Sequence, residues 1–529
     1  MCGPVLRTAL VLVIPLSLLA QVSQAAPLFE QLFVEGQVLA GASTLPGFLL
    51  LDTVRHNGHR TISLSPKGNF VTVVNTDPSQ GNAGFAGTFY QFGSATQGTL
   101  PKALRRESTI SGQQQETFGS LGIDNSGNIT YTATLVNPSA PPTRFASLWE
   151  NDTMMFREGN AIPAGPLAGN FFGSISAAAR SPSGTSSWIS SYSTTSLGST
   201  AGIALLRNTT GFDVLLKSGD TITGQGAIAN ESGAISANIR WSDAGTNHLT
   251  VVDLEIGFTD TDEIPVINGL PLTTGSGAII REGAAIPALD GGLPGEIWDS
   301  FAEFDVNDAG DYIMGTFNDN VINDSVLMVN GVIQHRENDI VDGVTLAGQV
   351  QAVAINDLGD RAYVWNDTLF VNDQVVAGIG TLVDTNADGL GDTAISNQAV
   401  RKLEISNLPA AGGDLPIVYL GLEIGGSLTA QLRLVPAYAD FDDDDDVDGR
   451  DFLIWQRGVG TGSTRSQGDA NGDGSVDAED LAIWQASYGL PLPSSTLIAD
   501  SIVSVPEPTT FSLSFVALYL LGGRCWLRR

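Results

Sequence analysis

The sequence predicts a mainly β protein, a long body of small antiparallel sheets followed by a short, all-α pair of loop-and-helix units. Three observations carry this. Hydrophobic residues make up 42% of the 529 and charged residues only 16%, with 61 glycines, which suits short strands and frequent turns better than ion-paired helices. A turn sequence recurs through residues 29–436. Near the C-terminal end an acidic loop occurs twice, each copy running into an apolar pattern of helical period.

In chain order, residues 1–25 read as a secretory signal. Arg7 precedes an apolar run from Thr8 to Ala20, and Ser23-Gln24-Ala25 supplies small residues at a cleavage point, so export is expected. The two cysteines are Cys2, inside that signal, and Cys525, so no disulfide or thiolate is expected in the body.

The body at 29–436 carries the repeat. Its best copies are Asn307-Asp308-Ala309-Gly310-Asp311-Tyr312 and Asn356-Asp357-Leu358-Gly359-Asp360-Arg361-Ala362-Tyr363, with weaker ones starting at Ser65, Asp124, Ser181 and Ser242. Each reads as a turn opened by a short polar side chain, with Gly supplying the positive φ that leads into a strand. A second element follows each turn: an apolar strand, then a polar turn, as in Phe156-Arg157-Glu158-Gly159, Leu216-Lys217-Ser218-Gly219, Ile280-Arg281-Glu282-Gly283 and His335-Arg336-Glu337-Asn338. The turn glycines at 68, 127, 184, 245, 310 and 359 give a unit of roughly fifty to sixty residues, enough for a four-stranded sheet. A stretch of the second kind, Phe33-Val34-Glu35-Gly36, stands before the first turn, and none follows the last strands. The expected architecture is therefore a seven-bladed β-propeller in which the N-terminal strand completes the final sheet and removes the free edge. A row of β-sandwich domains is the alternative. The turn, best in the copy from Asn356 to Tyr363, resembles the tandem Asn-x-x-Gly-x-x-x-Tyr repeats of bacterial cell-surface proteins.

Within the body, residues 384–392 have D-x-N-x-D-G spacing, and Asp384, Asn386, Asp388 and Asp392 are candidate ligands for a further calcium ion. The paired acidic loops lie in 437–490. The second reads D-A-N-G-D-G-S-V-D-A-E-D from Asp469: Asp469, Asn471 and Asp473 stand at loop positions 1, 3 and 5, Gly474 at the bend, the Ser475 carbonyl at 7, Asp477 and Asp480 at 9 and 12. The first copy places Asp440, Asp442, Asp444, Asp448 and Asp451 in the same register, with the Asp446 carbonyl at position 7 and Asp445 where Gly is usual. Hard oxygens at this spacing suit calcium, and two ions are expected. Phe452, Trp455 and Val459 after the first loop, and Leu481, Trp484 and Tyr488 after the second, predict two short amphipathic helices. The pair resembles a type I dockerin. That resemblance implies calcium-dependent folding and docking to a cohesin, although Gly449-Arg450 and Ala478-Glu479, beside position 12, differ from the hydroxyl-rich pairs of cellulosomal dockerins and speak against a cohesin partner.

Residues 491–504 read as a linker. From Val505-Pro506-Glu507-Pro508 the chain runs into a short apolar stretch, Phe511 to Leu521, and ends on Arg524, Arg528 and Arg529. Residues 505–529 resemble the PEP-CTERM sorting signal. The resemblance implies a transient inner-membrane anchor cut by exosortase in a Gram-negative bacterium that makes extracellular polysaccharide, with the mature protein at the cell surface or in the matrix.

Twenty-five Lys and Arg stand against 57 Asp and Glu, a net charge of -32, which excludes nucleic acid as a partner and favours cations. The histidines His56 and His59 are expected in an exposed polar loop, and no nucleophile, zinc or phosphate-loop motif is present. The expected function is a non-catalytic, calcium-binding surface or matrix protein that binds extracellular polysaccharide or a surface protein. The alternative is a polysaccharide-degrading glycoside hydrolase or lyase, with Glu282, Glu303 and Asp305 as candidate carboxylates. Unpaired acids at the centre of the repeats would favour the enzyme, and a mouth lined by Ser, Thr and Asn would favour binding.

Overall fold

The computed structural model describes residues 29–34 and 53–488, except 65–68, 78–86, 95–101, 106–108, 111–112, 125, 138–142, 152, 182, 209–211, 231–233, 237, 256–261, 321, 386–390, 398–402, 410–414, 427, 435–438, 440, 443–446, 463–464 and 471–475. The expected signal, linker and sorting segments lie outside the described residues. So do Asp440, Asp444, Asp446, Asn471, Asp473, Ser475, Asn386 and Asp388.

The chain is mainly β, with few helices. Among the described residues, seven sheets have four or more strands. The first is built from Thr53–Leu64, Asn69–Asp77, Gly87–Ser94 and Lys102–Arg105. The second takes Thr109–Ile110, Gln113–Ile123, Ile129–Asn137, Thr143–Glu150 and Thr153–Arg157, and the third Phe171–Arg180, Ser186–Ser193, Gly202–Asn208 and Phe212–Lys217. The fourth has Arg240–Trp241, His248–Asp253, Glu263–Ile267 and Leu270–Pro271. The fifth has Trp298–Val306, Tyr312–Asn318, Ser325–Val329 and Val332–Arg336, and the sixth Val350–Ile355, Arg361–Trp365, Thr368–Val371 and Gln374–Ala377. In these six, sequential strands pair antiparallel, so each is a meander held by local hairpins.

The seventh sheet joins the two ends of the body. Phe29–Val34 lies between Leu428–Leu434, which it meets antiparallel, and Leu382–Asp384, which it meets in parallel; Thr393–Asn397, Pro416–Ile424 and Leu403–Pro409 complete the sheet. The N-terminal strand is thus an interior strand of the last sheet, with Phe29 wholly buried. Thr53–Leu64 packs against Leu403–Pro409 and Leu428–Leu434 on one side and against Gln113–Ile123 on the other, so the first sheet touches both the seventh and the second.

Each strand of the sixth sheet shows why the run is apolar on both faces. Ala362, Val364, Leu369 and Val371 point into a core shared with Tyr419, Leu432 and Phe29, while Tyr363, Trp365 and Phe370 point into one shared with Ile313 and Leu327 of the fifth sheet. Successive side chains alternate in direction, and a sheet stacked between two others must be apolar both ways. Similar cores join the second and third sheets around Trp188, the third and fourth around Leu205 and Val252, and the fourth and fifth around Phe304.

The turns from Ser181, Ser242, Asn307 and Asn356 join the first and second strands of their sheets, and the turn from Asp124 joins the second and third strands of its five-stranded sheet. Gly310 and Gly359 take the left-handed φ of 85° that the motif requires. In the second element Gly159, Gly219 and Gly283 do the same, and Asn338, which replaces Gly in the fourth copy, holds φ 71°. The expectation that His56 and His59 occupy a loop is corrected: both lie in the strand Thr53–Leu64, whose pairing with Asn69–Asp77 is irregular between Val54 and His59. A strand that bulges beside polar residues reads locally like a turn.

After the sheets come helix α1 (Gly449–Gly458) and helix α2 (Ala478–Ser487). Among the described residues no helix is long and apolar enough to cross a membrane.

Candidate functional site

The two acidic loops repeat one another in bonding as well as sequence. Asp451 and Asp480, at position 12, are both fully buried. Asp451 accepts the amides of Phe441 (2.6 Å) and Asp448 (2.8 Å), and Asp480 those of Ala470 (2.7 Å) and Asp477 (2.7 Å). In each copy one carboxylate therefore ties position 2 of its loop to position 9. At α1 the same contact forms half of a capping box, whose other half is the Asp448 side chain accepting from the Asp451 amide; Asp448 Oδ1 also accepts from the Arg450 amide at 2.6 Å. Each carboxylate oxygen has a second lone pair to offer a cation. Burying an ionised carboxylate is costly without positive charge beside it, and calcium would supply that charge.

The halves also cross-link. Trp455 Nε1 donates to the Asp477 carbonyl at 2.7 Å, and Trp484 Nε1 donates to the Asp448 carbonyl at 2.9 Å. Each tryptophan thus reaches position 9 of the opposite loop, an exchange with local two-fold symmetry. Phe452 packs on Trp484 at 4.9 Å, and Ala439, Phe441, Val447 and Ala470 form the small core beneath. Asp442 is exposed and Asp469 buried.

Residues 384–392 stand between the antiparallel strands Leu382–Asp384 and Thr393–Asn397, with 386–390 outside the described residues. Asp384 is buried at the end of its strand, and Asp392 accepts from the Thr385 (2.7 Å) and Thr393 (2.9 Å) hydroxyls, which hold its carboxyl below the usual range.

The second feature, missed in the sequence, is that the repeated turns meet. Asn307 Nδ2 donates to the Asn356 carbonyl (3.1 Å), and Asn356 Nδ2 to the Ser406 carbonyl (3.0 Å). One residue on, the Ala244 amide donates to Asp308 (2.7 Å), the Asp308 amide to Asp357 (2.8 Å) and the Asp357 amide to Asn407 Oδ1 (2.9 Å). Asn407 Nδ2 closes the series on Asp243 (2.8 Å) and Asp357 (2.9 Å). Turns of the fourth, fifth and sixth sheets are thus laced together with the strand Leu403–Pro409 of the seventh. Burial, followed by the charges of Asp357 and Asp308, pushes the Asp243 carboxyl well up.

The charged groups of the inner strands are also engaged. Arg240 Nη1 meets Glu404 at 2.8 Å, and buried Asp305 accepts the Ile355 amide at 2.9 Å and is pushed up to about 7 by burial. Glu282 accepts the Asp262 and Glu263 amides. Asp373 receives His335 Nε2 (2.8 Å) and the Tyr363 hydroxyl (3.1 Å), which ties the fifth sheet to the sixth. A second, Asn-based turn recurs too. Asn268, Asn330 and Asn372 each accept the amide that starts the second strand of their sheet, and Asn151 accepts the amide of Ile129 that starts the third strand of its own, at 2.9–3.0 Å. The signal was present as Asn268-Gly269 and Asn330-Gly331, a strong hairpin dipeptide.

Curated proteins show no match to this chain. Among solved structures, the chain is similar to polysaccharide lyase Uly1 (10% identity, 77% of this chain and 97% of that one, TM-score 0.35). It is also similar to the Hadza microbial sialidase Hz136 (8%, 71% and 66%, TM-score 0.29), so it spans about 66% of that chain. A third likeness is to a protein of unknown function from Bacteroides caccae (13%, 63% and 78%, TM-score 0.22). Residues 438–486, the two loops with their helices, match the dockerin type I domain, a family of calcium-binding modules.

Proposed function

We propose that this is an exported, calcium-binding, non-catalytic protein of the cell surface or extracellular matrix, in which a dockerin-like module takes two calcium ions and the repeat body binds polysaccharide or a surface protein. The observation that carries the reading is the identical seating of Asp451 and Asp480, each buried and each closing its own loop. Asp440, Asp442, Asp444, Asp448 and Asp451, with the Asp446 carbonyl, would hold one ion. Asp469, Asn471, Asp473, Asp477 and Asp480, with the Ser475 carbonyl, would hold the other. Asp384, Asn386, Asp388 and Asp392 are proposed for a third. The body is proposed to be a seven-bladed propeller closed by its N-terminal strand. Seven sheets, and the packing of the first against the seventh, support this.

The acids among the converging turns favour binding over catalysis, because they are spent on amides and on Asn407 rather than presented unpaired. The enzyme alternative has one observation on its side: Glu263 is pushed up to about 7 by burial and by Glu282, a proton donor beside a second carboxyl. Hydrolysis and lyase assays on a polysaccharide panel, with Glu263→Gln as control, decide that question. Residues 505–529 are proposed to act as the sorting signal. Changing Glu507 should leave a larger, membrane-retained form, and normal tail loss by mass spectrometry would end that assignment. The calcium reading is tested by calorimetric titration of the full chain after chelation. Two tight sites in the dockerin-like module, reduced to one by Asp480→Ala, are expected beside the proposed uptake at 384–392, and no uptake would overturn the reading.

A further inference from the structure

Between the turns of the third and fourth sheets lies a cavity of about 220 Å³, lined by Ser181, Ser183, Thr185, Ser187, Arg207 and Trp241 and floored by the backbone of the next turn at Ala244. Its walls are hydroxyl groups, which both donate and accept, set beside one flat indole and one guanidinium. The hydroxyls are held in place: Ser181 Oγ accepts the Thr185 amide at 3.0 Å and pairs with Ser183 Oγ at 3.0 Å. Trp241 is backed by the His248 ring at 5.1 Å, which fixes the indole plane. Among the described residues Arg207 reaches Asp213 through Nε and Nη2, at 3.4 and 3.2 Å, which leaves Nη1 for a ligand.

These facts narrow the ligand class. An apolar molecule would desolvate the lining hydroxyls with nothing in return. A polyanion meets a chain of net charge -32, and the turn that floors the cavity is bonded to Asp308. Arg207 is already paired with Asp213 at 3.2 Å, which lowers what a carboxylate gains there. What fits is a neutral molecule with hydroxyls on its rim and a C–H face to lay on an indole.

We infer that this cavity is a subsite for one neutral sugar ring of an extracellular polysaccharide, with Trp241 as the stacking surface and Arg207 Nη1 and the Ser and Thr hydroxyls as hydrogen-bond partners. The inference rests on the reading of the repeat body as a polysaccharide-binding module and names its ligand.

The test uses the full, calcium-loaded chain, titrated by calorimetry and tryptophan fluorescence with neutral oligomers of glucose, galactose and mannose and with oligogalacturonate. At least one neutral oligomer is expected to bind. Ser183→Trp, at an exposed position on the mouth, is expected to block binding. Arg207→Met is expected to weaken it at least about tenfold, and both variants should melt like the parent. Neutral binding that neither variant alters would place the site elsewhere and overturn the inference while leaving the polysaccharide reading intact. Binding of the uronate oligomer alone would overturn the neutral class. Binding of no oligomer would overturn both.

Discussion

Replacing Asn356 by Ala tests the turn-to-turn lacing at its most connected point. Asn356 is 3% exposed, and its side chain makes four hydrogen bonds. Oδ1 accepts the Leu358 (3.1 Å) and Asp360 (2.8 Å) amides, and Nδ2 donates to Asp360 Oδ2 (2.9 Å) and to the Ser406 carbonyl (3.0 Å). A hydrogen bond is worth about 0.5–1.5 kcal/mol net, and a buried group left unpaired costs more. The Leu358 amide sits in an exposed turn and can turn to water, whereas the Ser406 carbonyl belongs to a residue 2% exposed. The expected loss is therefore about 2–4 kcal/mol. Asn356→Asp should be no better, since it keeps the acceptor but aims a second oxygen at a carbonyl and at Asp360. Leu358→Ala, on the solvent side of the same turn, should stay within about 0.5 kcal/mol of the parent. Urea unfolding followed through tryptophan fluorescence, in saturating calcium, measures all three. An Asn356→Ala protein within about 0.5 kcal/mol of the parent would mean that the inter-turn bonds carry no stability.

Four further outcomes follow from the same bonding. Asp480→Ala should cut the calcium stoichiometry of the dockerin-like pair from two to one in calorimetry, and an unchanged count would remove position 12 from the ligand set. Trp455→Phe and Trp484→Phe each delete one crossing bond and should cost the pair similar amounts, about 0.5–1.5 kcal/mol; a large asymmetry in calcium-loaded thermal melts would contradict the two-fold exchange. Deleting Phe29–Val34 should lower the melting temperature of the body, and a truncated chain that melts unchanged would argue against closure by that strand. Asp243 and Asp305 have raised carboxyls in the fold, Asp305 to about 7, so their stabilising contribution is full below the unfolded carboxyl range and is lost as pH climbs through the folded value. Asp243→Asn should therefore flatten the fall in stability as pH climbs above the ordinary carboxylate range, and an unchanged slope would show that the Asp243 carboxyl is not raised in the fold.

How far the sequence exposed this arrangement depends on the range of each interaction. Gly310 and Gly359 were legible because a left-handed φ is a local demand, and the loop duplication because ligand spacing is local too. Asn407 and Asp243 are 164 positions apart, as are Arg240 and Glu404, and nothing in either neighbourhood announces the other. Their meeting depends on how several sheets stack. The turn from Asn307 to Asp311 looked complete in itself, since Asn307 Oδ1 caps the Asp311 amide, yet the same side chain spends its Nδ2 on the next sheet. One residue type thus serves both local turn chemistry and long-range assembly, and a sequence shows only the first use. In the Ser-rich run from Ser181 to Ser193 the sequence marks only the turn that starts at Ser181, whereas in the fold Ser186 to Ser193 is a strand whose serine hydroxyls are buried between sheets. Small polar side chains let neighbouring backbones come close: Ser191 Oγ bonds the Ser174 amide at 2.8 Å, and Thr130 Oγ1 meets Ser186 Oγ across two sheets at 2.6 Å. Hydroxyls that satisfy one another inside the stack do not need water, whereas those at its end, around Arg207 and Trp241, line an open cavity. A serine-rich strand therefore stays compatible with a packed interior along most of its length and becomes a recognition surface only where the stacking stops.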